Sequence, residues 1–135
     1  MFLIINTSDN EKVSLVLIRG KSIIKKEFKI DFFESEKILL FINRFLRKNK
    51  IKLVNLKGLG VFKGPGPFTA LRVGITIANT LSYALNIPVL GFRENEIKNP
   101  KKLGKKIEQN KSKALIKPFY GQLPSITKPK KSWLK

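Results

Sequence analysis

The sequence predicts one α/β domain built on a five-stranded mixed sheet, with elements in the order β-β-β-α-β-α-β. Short apolar runs bounded by turn-forming residues alternate with two segments of helical periodicity, which is the main signal for this class. A length of 135 residues fits one domain and a tail. An apolar share of 42% provides enough material for a core and argues against wholesale disorder.

The first three predicted strands form a meander. Residues 2–5 are an apolar run that is typical of a buried strand, and residues 13–18 are a second one. The Arg19-Gly20-Lys21 segment predicts a tight reversal, because glycine adopts positive φ without strain. Residues 22–30 then form the third strand, which returns beside the second.

A first helix is predicted from a cap at Ser35 to about Lys48, with basic residues at its C-terminal end. Its apolar stripe is broader than a single core-facing side requires. We therefore expect part of this stripe to contact a protein partner, and the candidate interface residues are Ile38, Phe41, Ile42 and Phe45.

The next elements are a strand at residues 59–62, a helix at 68–85 and a strand at 89–92, with Asn86-Ile-Pro88 ending the helix. The loop before the helix contains two glycines and two prolines, which fit neither a helix nor a central strand. It lacks the spacing of a P-loop or a dinucleotide fingerprint. We interpret it as a structural turn, formed by Gly64, Pro65, Gly66 and Pro67.

Small side chains recur every four residues along the second predicted helix, at Ala70, Gly74, Ala78 and Ser82. Such a ridge allows another helix to approach closely, and the neighbour is either the first helix or a partner protein. Arg72 is the only charged residue between residues 68 and 85, so apolar residues lie on nearly all sides of the helix. We favour a ridge that faces outward and contacts a partner.

Beyond residue 93 the sequence predicts a lysine-rich linker or solvated helix at 94–113 and a tail segment at 114–135. The whole chain has 28 basic against 9 acidic residues, a formal net charge of +19. This excess favours a polyanionic partner such as nucleic acid, although the preference for Lys over Arg also fits AT-rich codon usage. Candidate tRNA contacts are Lys101, Lys102, Lys105 and Lys106.

Several classes of function are disfavoured by composition. The chain has no cysteine and no histidine, which excludes thiolate metal sites, histidine bases and Ser-His-Asp triads. The first strand is followed by the neutral Asn6, and carboxylates are too sparse for a two-metal nuclease. We therefore expect no catalytic residue, metal or cofactor. No signal peptide or membrane-length apolar run is evident, so we expect a cytoplasmic protein.

The segment Gly64-Pro-Gly-Pro-Phe-Thr-Ala-Leu-Arg-Val-Gly74 resembles the GPGSFTGLRIG stretch of the TsaB (YeaZ) family. Residues 5–8, 35–40 and 86–91 resemble that family's IDTS, HSERLLP and GIPVVGV segments, in the same order. The resemblance implies that residues 1–93 form an RNase H-like lobe of the actin-like ATPase superfamily. It also implies a non-catalytic scaffold that pairs with TsaD in threonylcarbamoyladenosine modification of tRNA at adenosine 37. TsaE, tRNA held through the complex, and a second copy of the chain are further candidate partners.

The sequence also departs from the family pattern. We expect no second lobe between the two matching regions, where only the lysine-rich stretch stands, and Asn6, Glu34, Pro67 and Ala70 replace residues usual in the family. These losses fall on polar, ligand-facing positions, whereas the helices are retained. The alternative interpretation is a stand-alone basic RNA-binding protein with the same fold.

Overall fold

The computed structural model describes residues 1–9, 11–30, 36–93, 99–110 and 116. Its five strands are β1 (Phe2–Asp9), β2 (Lys12–Arg19), β3 (Ser22–Lys29), β4 (Gly58–Phe62) and β5 (Val89–Phe92). Its helices are α1 (Lys37–Lys48), α2 (Phe68–Leu85) and α3 (Pro100–Gln109), with a short 3-10 turn at Leu53–Asn55. None of the helices in these described ranges is long and apolar enough to cross a membrane.

The strands form one mixed sheet in the order β3-β2-β1-β4-β5. β1, β2 and β3 are antiparallel neighbours, whereas β4 and β5 run parallel to β1. The antiparallel part is connected by tight reversals, and each parallel connection includes a helix, as parallel crossovers require. The predicted five-stranded mixed sheet and the predicted order of its elements are confirmed. The predicted cap at Ser35 lies outside the described residues.

Helices α1 and α2 cover one face of the sheet. α2 lies over β1 and β4, and α1 lies toward β2 and β3. Near the β3 edge, the rings of Phe28 and Phe41 stack with centroids 4.6 Å apart. Both helices contribute fully buried side chains to the core, among them Ile38, Ile42 and Leu71.

Helix α3 covers the opposite face; a helix is one of the two alternatives that the sequence predicts here, but it packs on the core and is not solvated on all sides. Leu103 and Ile107, four residues apart on one side of the helix, are buried in the main hydrophobic core. The Ile107 side chain fills the space above Gly58 and Gly60 of β4, where a Cβ atom would collide with it or crowd it. The glycines thus let the helix lie close to the sheet.

The start of α3 follows ordinary capping chemistry. Asn99 precedes Pro100, and the Asn99 Oδ1 atom accepts a hydrogen bond from the Lys102 backbone N–H at 3.3 Å. Proline suits the first helical turn because its missing N–H has no intrahelical partner there. These two residues give a defined start to a helix that has few apolar residues.

Asn79 of α2 binds the backbone of Ile116 through both ends of its side-chain amide. The Ile116 N–H donates to Asn79 Oδ1 at 3.0 Å, and Asn79 Nδ2 donates to the Ile116 carbonyl at 3.1 Å. The Ile116 side chain lies over Gly91 of β5, so this part of the chain returns to the α2 side of the sheet. The rest of the predicted tail segment lies outside the described residues.

We expect Ile107→Ala to lower the free energy of unfolding by about 2–4 kcal/mol, because it empties a fully buried site above two glycines. Chemical denaturation followed by circular dichroism measures this change. Lys102→Ala, on the exposed side of the same helix, is the control and should change stability by less than about 0.5 kcal/mol. Equal effects of the two substitutions would show that α3 does not stabilise the sheet.

Candidate partner-binding surface

Most of the apolar residues predicted as interface on α1 belong to the core instead. Ile38, Ile42 and Phe45 are buried, and Phe41 is partly buried against Phe28. These four residues therefore do not form a free surface, which corrects the sequence-based expectation. The reason is that α1 packs on the sheet with the same side that carries its most regular apolar spacing.

The small-residue ridge of α2 also faces inward, so the predicted outward face is wrong. Ala70, Gly74, Ala78 and Ser82 are all buried. The hydroxyl of Thr7, itself fully buried on β1, donates to the Ala70 carbonyl at 2.7 Å. A Cβ atom on Gly74 would collide with the Thr7 side chain. The ridge sets the close approach of α2 to β1 rather than to a partner helix.

The free surface of the helix pair consists of other residues. Leu39 and Leu40 of α1 are 50% and 54% exposed, and Tyr83 of α2 is 89% exposed. Val73 and Ile77 of α2 are partly exposed. An open groove of about 340 Å³ runs between the two helices, and its lining residues are Glu36, Leu39, Arg72, Val73, Thr76 and Ile77.

Periodicity on α2 contains a signal that identifies this face. Arg72, Thr76 and Thr80 follow each other at four-residue intervals, and all three are exposed. They lie on the side of the helix opposite to the small-residue ridge. The polar stripe, rather than the ridge, therefore marks the side of α2 that faces away from the sheet.

The Gly-Pro-Gly-Pro loop connects β4 to α2. Gly64 has φ of 117°, a conformation that favours glycine, and the Leu71 N–H donates to the Pro67 carbonyl at 2.9 Å as the helix begins. The other two loop residues, Pro65 and Gly66, lie between these anchors. This geometry agrees with a strand-to-helix turn.

Polar groups at the end of β1 bind the local backbone. Asn6 Oδ1 accepts from the Ser8 N–H at 2.9 Å, and Asp9 Oδ1 accepts from the Glu11 N–H at 2.8 Å. Within the described ranges, no three acidic side chains lie close enough together to hold a metal ion. This is the usual arrangement of a turn, in which short polar side chains accept hydrogen bonds from neighbouring backbone N–H groups.

A second concave region lies on the α3 side, at the sheet edge where β1 and β4 begin. It has a volume of about 810 Å³, with Lys21, Lys57, Lys101 and Lys105 around it. Only two of the four predicted tRNA contacts on α3 line it. Burial lowers the pKa of the Met1 amino group, and the neighbouring Lys57 charge lowers that pKa further, whereas Glu108 raises it.

Comparisons with known proteins agree on one family group. The family model described as TsaD, tRNA N6-adenosine threonylcarbamoyltransferase, matches residues 34–97. A threonylcarbamoyltransferase of that name from Geotalea daltonii is 43% identical over 61 residues, which are 45% of this chain and 18% of the relative. The tRNA threonylcarbamoyladenosine biosynthesis protein TsaB of Buchnera aphidicola is 45% identical over 56 residues, which are 42% of this chain and 27% of the relative.

The solved structure of YeaZ from Pseudomonas aeruginosa superposes with a TM-score of 0.63 and 25% identity, over 68% of this chain and 43% of that one. The predicted resemblance and the RNase H-like, actin-like fold are thereby confirmed. The chain spans less than half the length of each of these relatives.

We expect Gly74→Ala to destabilise the protein by about 1–3 kcal/mol, because the added methyl group meets the buried Thr7 side chain. Thermal unfolding of the isolated chain measures the loss. Thr76→Ala, two residues away on the exposed side of α2, is the control and should have an effect within about 0.5 kcal/mol. A Gly74→Ala protein as stable as the parent would contradict the inward orientation of the ridge.

Proposed function

Because the chain is similar to the first lobe of the TsaB (YeaZ) family, we propose that it is a non-catalytic subunit that pairs with a TsaD-type partner in threonylcarbamoyladenosine modification of tRNA. The observation that carries the proposal is the apolar groove on the outer side of α1 and α2. The surface suited to binding lies on the two helices and not at the polar ends of the strands. A scaffold needs such a surface, whereas an enzyme needs converging reactive groups.

The chemistry of the groove suits a protein partner. Its lining combines the apolar Leu39, Val73 and Ile77 with the charged Glu36 and Arg72. An apolar centre with a polar rim is the usual arrangement of protein interfaces. Tyr83, exposed further along α2, adds a side-chain type that often contributes strongly to binding.

The partner's expected shape follows from the comparisons. This chain matches a TsaB protein over 56 residues and a threonylcarbamoyltransferase over 61 residues, so we expect the proposed partner to contain a related lobe with a similar pair of helices. Two related helix pairs can pack face to face around a pseudo-twofold axis, as in isologous interfaces. A four-helix contact of this kind would cover the groove. The same geometry supports pairing of two copies when no partner is present, and recruitment of TsaE stays a prediction.

The non-catalytic role is supported by the residues at the strand ends. Asn6 is neutral and bonded to its own turn, and the described acidic residues do not converge. We infer that the catalytic groups of the complex belong to the partner.

We expect Val73→Asp to weaken binding to the TsaD-type subunit of the same genome at least thirtyfold, since a carboxylate would be buried in an apolar interface. Leu39→Asp should have a similar effect from the α1 side of the groove. Titration of the purified partner by calorimetry measures the affinity. Thermal unfolding of each variant alone checks that the fold is retained.

The matched control is Val54→Asp. Val54 is 75% exposed in the 3-10 turn and does not line the groove, so the same change of side chain there should leave binding within threefold of the parent. If the control also loses binding, the weaker binding of the groove variants is due to the added charge and not to the groove. Undiminished binding by both groove variants would contradict the proposed interface.

We also expect the purified chain to hydrolyse no ATP. Asn6 supplies no carboxylate for a metal, and the chain has no histidine. Release of phosphate from radiolabelled ATP measures the rate, with Asn6→Ala as the matched background. Turnover in the parent that disappears in the Asn6→Ala protein would overturn the non-catalytic assignment.

A further inference from the structure

The concave region on the α3 side of the sheet, here called the α3-side cavity, has both apolar and basic residues in its lining. Its apolar lining, here called the floor, consists in part of Phe2, which is the most exposed of the three, and the buried Ile18 and Ile107, and its lysines, here called the border, are Lys21, Lys57, Lys101 and Lys105. We propose that this cavity binds single-stranded RNA, with phosphates on the four lysines and an unstacked base against the apolar floor. The proposal deepens the RNA side of the proposed function and requires no contact with the partner subunit.

The four lysines come from separate parts of the fold, and α3 brings them together. Lys21 lies in the β2–β3 reversal, Lys57 directly precedes β4, and Lys101 and Lys105 are one helical turn apart on α3. The docking of Leu103 and Ile107 on the sheet fixes this side of α3 over the β1 and β4 edge. The cationic border is therefore a consequence of folding and not of sequence proximity.

The charge balance at the cavity favours a polyanion. Among the described residues that line it, Glu108 is the only acidic one, against four lysines. Lysine neutralises phosphate as a compact point charge, and such contacts need no particular sequence in the nucleic acid.

The apolar floor favours a single strand over a duplex. Unpaired bases expose flat apolar faces that pack on aromatic and aliphatic side chains, whereas the bases of a duplex are stacked on each other. The cavity volume of about 810 Å³ lies within the range of sites that hold organic ligands of this size. Phe2, partly buried at the floor, is the aromatic residue available for such packing.

The other basic concavity is less suitable. It lies between the β2–β3 hairpin and α1, and it includes Lys12, Lys29, Lys37 and Arg44. Lys12 forms an ion pair with Glu27 at 3.2 Å, which reduces the charge available to a ligand. This concavity also includes Leu40, which lies beside the proposed partner groove.

The arrangement separates the predicted tRNA contacts into two groups. Lys101 and Lys105 line the cavity, whereas Lys102 and Lys106 do not. Two lysines outside the predicted set, Lys21 and Lys57, complete it. Deleting residues 94–113 would remove Leu103 and Ile107 from the core, so point substitutions are the appropriate test.

The experiment compares two triple variants of the full chain with equal net charge. The cavity variant is Lys57→Gln/Lys101→Gln/Lys105→Gln, and the control is Lys26→Gln/Lys48→Gln/Lys102→Gln, whose three exposed lysines do not line the cavity. Fluorescence anisotropy measures binding of a 15-nucleotide oligouridine RNA between 50 and 300 mM KCl. Circular dichroism confirms the fold of each variant, and the basic tail is unchanged in all of them.

We expect the cavity variant to lose at least tenfold in affinity at 100 mM KCl, and its salt dependence to flatten by about two units of log K per log salt. The control should lose less than threefold, and a duplex of the same length should bind the parent more weakly than the single strand. Equal losses of RNA affinity in both variants would show that only the net charge of the protein matters, and would overturn the proposal. Equal binding of duplex and single-stranded RNA by the parent would also overturn the proposal. A cavity variant that keeps RNA binding but loses binding to phosphatidylserine vesicles would overturn it as well.

Because the experiment uses the isolated chain, failure to pair with a TsaD-type subunit cannot be mistaken for failure of the cavity. Normal pairing with unchanged RNA binding by the cavity variant would overturn only the RNA site. Lost pairing by the groove variants with normal RNA binding would leave both proposals standing.

Discussion

The close packing of α2 on β1 is the constraint on which the helical side of this molecule depends. The Thr7 hydroxyl is fully buried, and its hydrogen bond to the Ala70 carbonyl satisfies a polar group that would otherwise be costly in the core. The absent side chain at Gly74 leaves room for Thr7. With α2 held at this distance, α1 closes over the rest of the sheet face, and the outer sides of the two helices become a shared surface.

The two faces of the sheet serve the two proposals separately. On one face, the most regularly spaced apolar residues of α1 and α2 are buried in the core, and fewer apolar residues remain exposed for a partner. On the other face, α3 covers β2, β4 and β5, buries two aliphatic side chains and has exposed lysines on its outer side. A chain that spans less than half of its relatives thus has both sides of its sheet covered by helices.

Much of the fold could be predicted from the sequence because strong local signals agree there. Apolar runs, the Arg19-Gly20-Lys21 reversal and the helix stop at Asn86 each indicate their element directly, and the structure places Asn86 in the left-handed region, where it ends α2. Helix α3 was predicted only as one of two alternatives. Its core contact rests on Leu103 and Ile107, and two aliphatic residues among many lysines give a weak periodic signal.

The candidate site could be predicted only to the level of the helices. On α2 apolar residues occur on almost every side, so the apolar spacing alone does not distinguish the face that packs on β1 from the exposed face, which only the polar stripe of Arg72, Thr76 and Thr80 marks. The fit of Gly74 to Thr7 joins residues far apart in the chain, and no local pattern contains it. The same holds for the cavity, where Lys21 and Lys57 meet α3 only through the topology of the sheet.

The contact of Ile107 with Gly58 and Gly60 has a consequence for how this sequence can change over time. A larger residue at position 58 is tolerable only if position 107 becomes smaller, so neither substitution is neutral alone although the pair can be. Such conditional acceptance is epistasis, and homologues that share α3 should show it as correlated variation between the two positions. Strand β4 and a helix about fifty residues later would then evolve together.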